Sequence, residues 1–287
     1  MANATIRSNW ILANGVRTHY SECGDSGPAV VLLHGGGPGS SGWAGWRFML
    51  PALAEAGFRA YAIDQLSFGL TDARPNAWPV NGLQSLVDHV ADVIDALCLD
   101  EVLLAGNSQG AYVAVKYALD HPDKARKVFM IGSATVGAAM GIPMPQTEGL
   151  RLLNAYDGTP RAMRAFLEAV TLDKSTVTDE LVNDRVAAAN RPGVAESVKA
   201  FQAGRARVAA DANWRQRFEL KSRLPQMTMP AMFIWGAQDD FVPVEIGKAL
   251  EKLLPNIPFT FVEGAGHQSQ TDKPDVVNKM VIDFLKG

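Results

Sequence analysis

The chain has 287 residues, 47% hydrophobic and 20% charged, with a formal net charge of −3, an ordinary globular composition long enough for one large α/β domain carrying an insertion. That balance gives no electrostatic reason to expect nucleic acid or an anionic membrane as partner, and it points to a small-molecule substrate. Residues 1–15 hold one Arg and no apolar stretch of secretory length, and no run approaches a membrane span, so a cytoplasmic protein is expected.

Taken in chain order, Ile6 to Leu12 and Val16 to Glu22 flank Asn14-Gly15, a type I′ turn signal, and predict an opening antiparallel hairpin. Short apolar runs follow at Val30 to Leu33, Ala60 to Ile63, Val102 to Ala105, Val128 to Ile131, Ala231 to Trp235 and Phe259 to Val262. They are continuous rather than alternating, as in strands covered on both faces. Between them the pattern predicts helices over Phe48 to Ala56, Leu83 to Leu97, Gly110 to Leu119, Val244 to Leu254 and Pro274 to Leu285. Alternating strands and helices predict an α/β fold with a mostly parallel central sheet flanked by helices. The rhythm breaks between Gly137 and Lys221, where helical spacing takes over, as in Arg161 to Ala169 and Glu180 to Ala189. This divides the chain into a core over 1–136, a helical cap over 137–221 and a second part of the core over 222–287. Cys23 and Cys98 make no disulfide framework and read as buried or partly buried thiols, and the five histidines show no metal-binding spacing. Neither metal nor cofactor is expected.

Gly106-Asn107-Ser108-Gln109-Gly110 stands between a predicted strand and a predicted helix, the context of a nucleophile elbow. A strained turn there presents the serine, and side chains in place of the glycines would collide with strand or helix. Upstream, His34-Gly35-Gly36-Gly37-Pro38-Gly39 also follows a strand; the N–H of Gly36, with that of Gln109, would hold an oxyanion formed by attack of Ser108 on a carbonyl. A phosphate loop would need the Lys-Ser/Thr ending of a P-loop or GxGxxG spacing, and neither is present. His34, at a strand end, reads as a structural hydrogen-bonder. His267, on a loop after the last predicted strand, is the candidate base, and Asp239 the candidate for orienting it, with Asp240 as rival. His19, His89 and His121 read as structural or surface residues.

With these residues in hand, the chain resembles the α/β-hydrolase superfamily over its whole length. Within it the chain resembles the meta-cleavage-product hydrolases, which cleave a C–C bond of 2-hydroxy-6-oxo-dienoates without a cofactor. The resemblance is carried by His34 to Gly39, Gly106 to Gly110, Pro143-Met144-Pro145 with Glu148-Gly149 and Leu152-Leu153, Glu180 to Arg185, and Trp235-Gly236 leading to Asp239. It favours Asp239 over Asp240, implies a homo-oligomer, and implies that Gly37, Asn107, Arg185 and Gln268 meet the substrate. A solvated helix arginine is the other reading of Arg185. Two positions depart from the family pattern: Gln268 stands where Trp is usual after the base, and Gly45 where Asn is usual two residues after Trp43. The same triad would also serve an esterase, lactonase or amidase, and a hydrolase-fold receptor is a further class. Haloalkane dehalogenases and epoxide hydrolases carry a carboxylate where Ser108 stands. Met140, Ile142, Met144, Leu153, Phe166 and Leu167 are candidates to line a pocket, or equally to form the core of the cap.

Overall fold

Asn14 and Gly15 both take positive φ, 46° and 81°, as a type I′ turn demands. They join β1 (Arg7–Ala13) to β2 (Val16–Cys23) with Ala13 opposite Val16. This computed structural model describes residues 4–287; residues 1–3, with which the core was expected to begin, lie outside the described residues. The hairpin extends a sheet whose other strands are β3 (Ala29–Leu33), β4 (Arg59–Ile63), β5 (Val102–Asn107), β6 (Ala125–Ile131), β7 (Ala231–Gly236) and β8 (Phe259–Val262). The eight strands lie in the order β1-β2-β4-β3-β5-β6-β7-β8. β2 pairs antiparallel with β4, and every later pairing is parallel.

The helices of the first half are α1 (Gly42–Trp46), α2 (Met49–Glu55), α3 (Leu83–Ala96) and α4 (Gln109–Asp120). Between β6 and β7 come α5 (Ala134–Ala139), α6 (Glu148–Asn154), α7 (Pro160–Val170), α8 (Asp179–Ala189), α9 (Val194–Ala210) and α10 (Ala212–Phe218). α11 (Val244–Leu253), α12 (Ser269–Asp272) and α13 (Pro274–Lys286) complete the chain. Every residue of β3, β5 and β7 is buried, and alternate side chains serve two separate cores. Val31, Leu33, Leu104 and Met130 join α3, α4 and the inner face of the insertion, while Val30, Leu32, Ala105 and Ile131 join α2 and α13. Covering on both faces is why these runs are continuous rather than alternating.

β8 departs from that expectation: Phe259, Thr260 and Phe261 are at most half-buried, because β8 is an edge strand paired only with β7. Cys98 departs as well. It is exposed, in a left-handed turn (φ 53°) just past α3 that points it to solvent, whereas Cys23 is buried.

The insertion leaves the sheet and returns to it at one place, where Leu220 N–H donates to Ala139 O at 3.0 Å. Away from that junction polar and close backbone contacts add to the apolar packing of its inner face on the core. Ser67 Oγ lies 2.6 Å from Ser197 Oγ, and α9 approaches the backbone before α3 so closely that a Cβ on Gly204 would stand 2.3 Å from Gly82 N. Among the described residues no helix is long and apolar enough to cross a membrane, and no group of His, Cys, Asp or Glu is arranged to hold a metal.

Candidate active site

Ser108 sits between β5 and α4 with φ 56° and ψ −120°, a conformation that costs a non-glycine residue about 1–3 kcal/mol and needs support on every side. Its N–H donates to Ile131 O and Gly132 O at 2.9 and 3.0 Å, and its carbonyl accepts from Ser133 Oγ at 2.6 Å. Both elbow glycines are required by close approach. A Cβ on Gly106 would lie 2.2 Å from the carbonyl of Gly110, and one on Gly110 would lie 2.2 Å from Leu33 O. No side chain caps the start of α4, and Ala111 N–H turns back to Ser108 O at 3.1 Å, which leaves the N–H groups of Gln109 and Gly110 for a ligand.

The glycine loop after β3 runs directly over this elbow. A Cβ on Gly35 would stand 3.2 Å from Ser108 Cβ, and one on Gly36 would stand 2.5 Å from the Gln109 side chain. Gly36 and Gln109 are thus adjacent, as two donors to one oxyanion must be. Gly37 faces the insertion, where a Cβ would meet Phe166 at 2.6 Å and Arg185 Nη2 at 3.0 Å. His34 supports the loop from beneath: its Nδ1 donates to Gly35 O at 2.8 Å, and its Nε2 accepts from Gln65 N–H at 3.1 Å. Both ring nitrogens are used by a neutral imidazole, and burial pushes its pKa down to about 4.

Asp239 and His267 meet at the far ends of β7 and β8. Asp239 Oδ2 accepts from His267 Nδ1 at 2.8 Å, and Oδ1 accepts from Val242 N–H at 2.7 Å. Asp240 is exposed, so the hydrogen bond goes to the residue preferred on the resemblance. Since a carboxylate only accepts, Nδ1 carries the proton and Nε2 the lone pair. Nε2 is buried without a protein partner, and Phe241 packs on the ring with centroids 4.7 Å apart. A Cβ on Gly132, next to the carbonyls that hold Ser108, would lie 3.4 Å from both Asp239 Oδ2 and His267 Nδ1, so elbow and Asp–His pair share one backbone support.

Two residues that the sequence reading passed over hold these parts. Asp272, on α12, accepts from Gly266 N–H at 2.7 Å and from Leu172 and Asp173 N–H at 2.9 Å each, tying the histidine loop to the end of α7. Ser133 supports Ser108 O while capping α5 through Val136 N–H at 3.1 Å. A serine directly before a helical run is a readable cap signal; a carboxylate reaching backbone a hundred positions away is not.

The residues assigned to substrate on the resemblance are placed differently from one another. The Asn107 NH₂ donates to Ile131 O at 3.2 Å and to His267 O at 3.3 Å, and so helps to hold the histidine loop. Gln268 donates its N–H to Val170 O at 3.1 Å and stands at the N-terminal end of α12, where its carbonyl accepts from Thr271 and Asp272 N–H. Gly45, at the other departure, has its carbonyl approached by Gln270 Nε2 at 3.4 Å. Arg185 is 4% exposed and is no solvated surface residue. Its Nη2 donates to Pro38 O at 2.6 Å and Ser40 Oγ at 2.9 Å, its Nε to Pro38 O at 3.0 Å, and it stands over the Phe166 ring at 5.7 Å. Among the described residues no carboxylate pairs with it; burial and the Arg47 guanidinium lower it to about 10, so it stays charged at neutral pH. Met140, Phe166 and Leu167 are buried in the core cluster and Ile142, Met144 and Leu153 are packed against it; of the six, Phe166 reaches both Gly37 and Phe241.

Comparison with known proteins identifies the family of the fold. The alpha/beta hydrolase fold family matches residues 28–274. The 2-hydroxy-6-oxononadienedioate/2-hydroxy-6-oxononatrienedioate hydrolases of Burkholderia vietnamiensis and Paraburkholderia phymatum are each 34% identical, over 94% of this chain and 91% of theirs. Among solved structures, the meta-cleavage product hydrolase CumD of Pseudomonas fluorescens IP01 superposes with a TM-score of 0.80 at 29% identity over 97% of both chains. The 2-hydroxy-6-oxo-6-phenylhexa-2,4-dienoate hydrolase of Rhodococcus has a TM-score of 0.83 at 24% identity and shares the fold. The chain belongs to the α/β-hydrolase fold family and, within it, to the meta-cleavage-product hydrolases.

Proposed function

We propose that this chain hydrolyses the C–C bond next to the distal ketone of a 2-hydroxy-6-oxo-hexa-2,4-dienoate, with Ser108, His267 and Asp239 as its triad and no cofactor. The observation that carries the reading is Arg185, a buried guanidinium that pairs with no carboxylate among the described residues, beside the loop that covers Ser108. An unpaired buried charge costs several kcal/mol, and an anionic substrate group is the partner that would offset it.

A carbon leaving group departs only if its electrons have somewhere to go. The dienol is first protonated on carbon, which turns the far end of the chain into a ketone able to act as an electron sink. Arg185 favours the charged dienolate on the way. His267 Nε2 then takes the Ser108 proton as Oγ attacks the distal carbonyl, Asp239 holds the imidazole in the required tautomer, and Gly36 and Gln109 N–H stabilise the oxyanion. Collapse expels the carbon fragment, which leaves as its own dienolate and takes up a proton. Water, activated by His267, releases the acid from Ser108.

The test follows loss of the yellow dienolate absorbance with a biphenyl- or dibenzofuran-derived meta-cleavage product, with p-nitrophenyl esters and Ser108→Ala in parallel. Fast decay of the dienoate, slow ester hydrolysis and a loss of about 1,000-fold or more in the variant are expected. Brisk ester turnover with a persistent dienoate would replace this reading by ester or lactone hydrolysis.

A further inference from the structure

A second Ser–His–Asp array lies outside this site. Ser8 Oγ is 2.8 Å from His19 Nε2, and His19 Nδ1 is 2.7 Å from Asp64 Oδ2. The direction of these bonds follows from chemistry. The Asp64 carboxylate is held as an acceptor by Gly42 N–H at 2.6 Å on Oδ1 and Leu70 N–H at 2.8 Å on Oδ2. Nδ1 therefore carries the imidazole proton, Nε2 carries the lone pair, and the Ser8 hydroxyl is the donor. Asp64 is fully buried, His19 is 5% exposed with the Trp10 ring against it at 4.9 Å, and Ser8 is exposed, so a rigid acceptor sits behind an accessible hydroxyl.

The array opens into a cavity of about 520 Å³ between the β1–β2 hairpin, α1 and α8. Its lining combines the hydroxyls of Ser8, Ser21 and Ser41, the apolar surfaces of Trp43 and Leu70, the Asp184 carboxylate, and the Arg191 guanidinium, whose Nη1 donates to the carbonyls of Gly69 and Thr71. None of Ser108, Asp239 or His267 borders it. A nucleophile, an oriented base, a cation and apolar walls in one cavity are the components of acyl transfer.

We propose that Ser8 is a second activated serine, which accepts the acyl group of small carboxylic esters in this cavity. Ser8 Oγ bonds to the acyl carbon, the bond to the alcohol oxygen breaks, and the serine proton passes through His19 Nε2 to the departing alkoxide. An organophosphorus fluoride reports the same reactivity: an O–P bond forms, the P–F bond breaks, fluoride leaves and His19 takes the proton.

The experiment treats Ser108→Ala, Ser108→Ala/Ser8→Ala and Ser108→Ala/His19→Gln with diisopropyl fluorophosphate, followed by intact mass and peptide mapping. The single variant gains one adduct, mapped to Ser8, and both double variants label about a hundred-fold more slowly. Ser8→Ala removes one hydroxyl from an exposed strand position and leaves the fold intact; thermal unfolding checks that His19→Gln does too. If it does not, the Ser8→Ala arm and the mapping decide. No adduct in the single variant, an adduct on another residue, or labelling indifferent to a folded His19→Gln overturns the proposal.

Discussion

Replacing Asp272 by Asn tests whether one carboxylate joins the histidine loop to the insertion. The wild-type group accepts three backbone N–H bonds, two on Oδ1 from Leu172 and Asp173 and one on Oδ2 from Gly266. Asn fills the same volume but offers one acceptor atom. In its better orientation the amide oxygen keeps the first two bonds, weakened from charge-assisted to neutral, and its NH₂ is set against Gly266 N–H. Losing one bond to a charged acceptor, worth about 1.5–3 kcal/mol, and weakening two others gives a destabilisation of about 3 kcal/mol once relaxation is allowed for. Gly266 adjoins His267, so kcat should fall about ten-fold while KM moves little. Urea denaturation by tryptophan fluorescence gives the first quantity and steady-state kinetics on the dienoate the second. A variant within about 0.5 kcal/mol of wild type, with kcat unchanged, refutes the clamp.

Arg185→Gln should raise KM for the dienoate about 10- to 100-fold and change p-nitrophenyl acetate hydrolysis far less, because the ester has no anionic end; equal losses on both substrates would assign Arg185 to loop support alone. Stability should fall as pH drops from about 6.5 towards 4. His34 and His89 are buried and held at about 4 against an ordinary 6.5, so in that window the unfolded chain binds protons that the folded chain refuses. The stabilisation is complete above 6.5, and each histidine has lost about 2 kcal/mol of it by pH 5; a flat unfolding free energy between pH 7 and 5 contradicts this. Gly110→Ala should cost about 3 kcal/mol and depress expression, since its Cβ would meet Leu33 O at 2.2 Å; unchanged thermal unfolding would show that the elbow has room.

The local part of the design is legible in the sequence. Asn14-Gly15 fixes a turn by its own dihedrals, and the apolar runs of β3, β5 and β7 declare burial on both faces because helices cover both. The elbow was legible because Gly106 and Gly110 are demanded by contacts a few residues away or just across to β3. Asp272 is not legible in this way, because its partners at 172 and 173 lie across the join between insertion and core, and neither is the second task of Asn107, whose NH₂ bonds Ile131 O and His267 O. Apolar content alone hid the edge position of β8, since pairing partners, not composition, decide how much of a strand meets water.

The hydrogen bond between Leu220 N–H and Ala139 O gives the insertion a narrow neck. To the sheet, everything beyond that neck resembles a single short loop between β6 and β7, and lengthening or reshaping it adds little closure entropy to the folding of the strands. Selection can therefore treat the insertion as a cassette. Changes beyond the neck leave the elbow, which is built on the sheet, untouched; those at Val170, Leu172 or Asp173, where the insertion is bonded to the histidine loop, reach the Asp239–His267 pair as well.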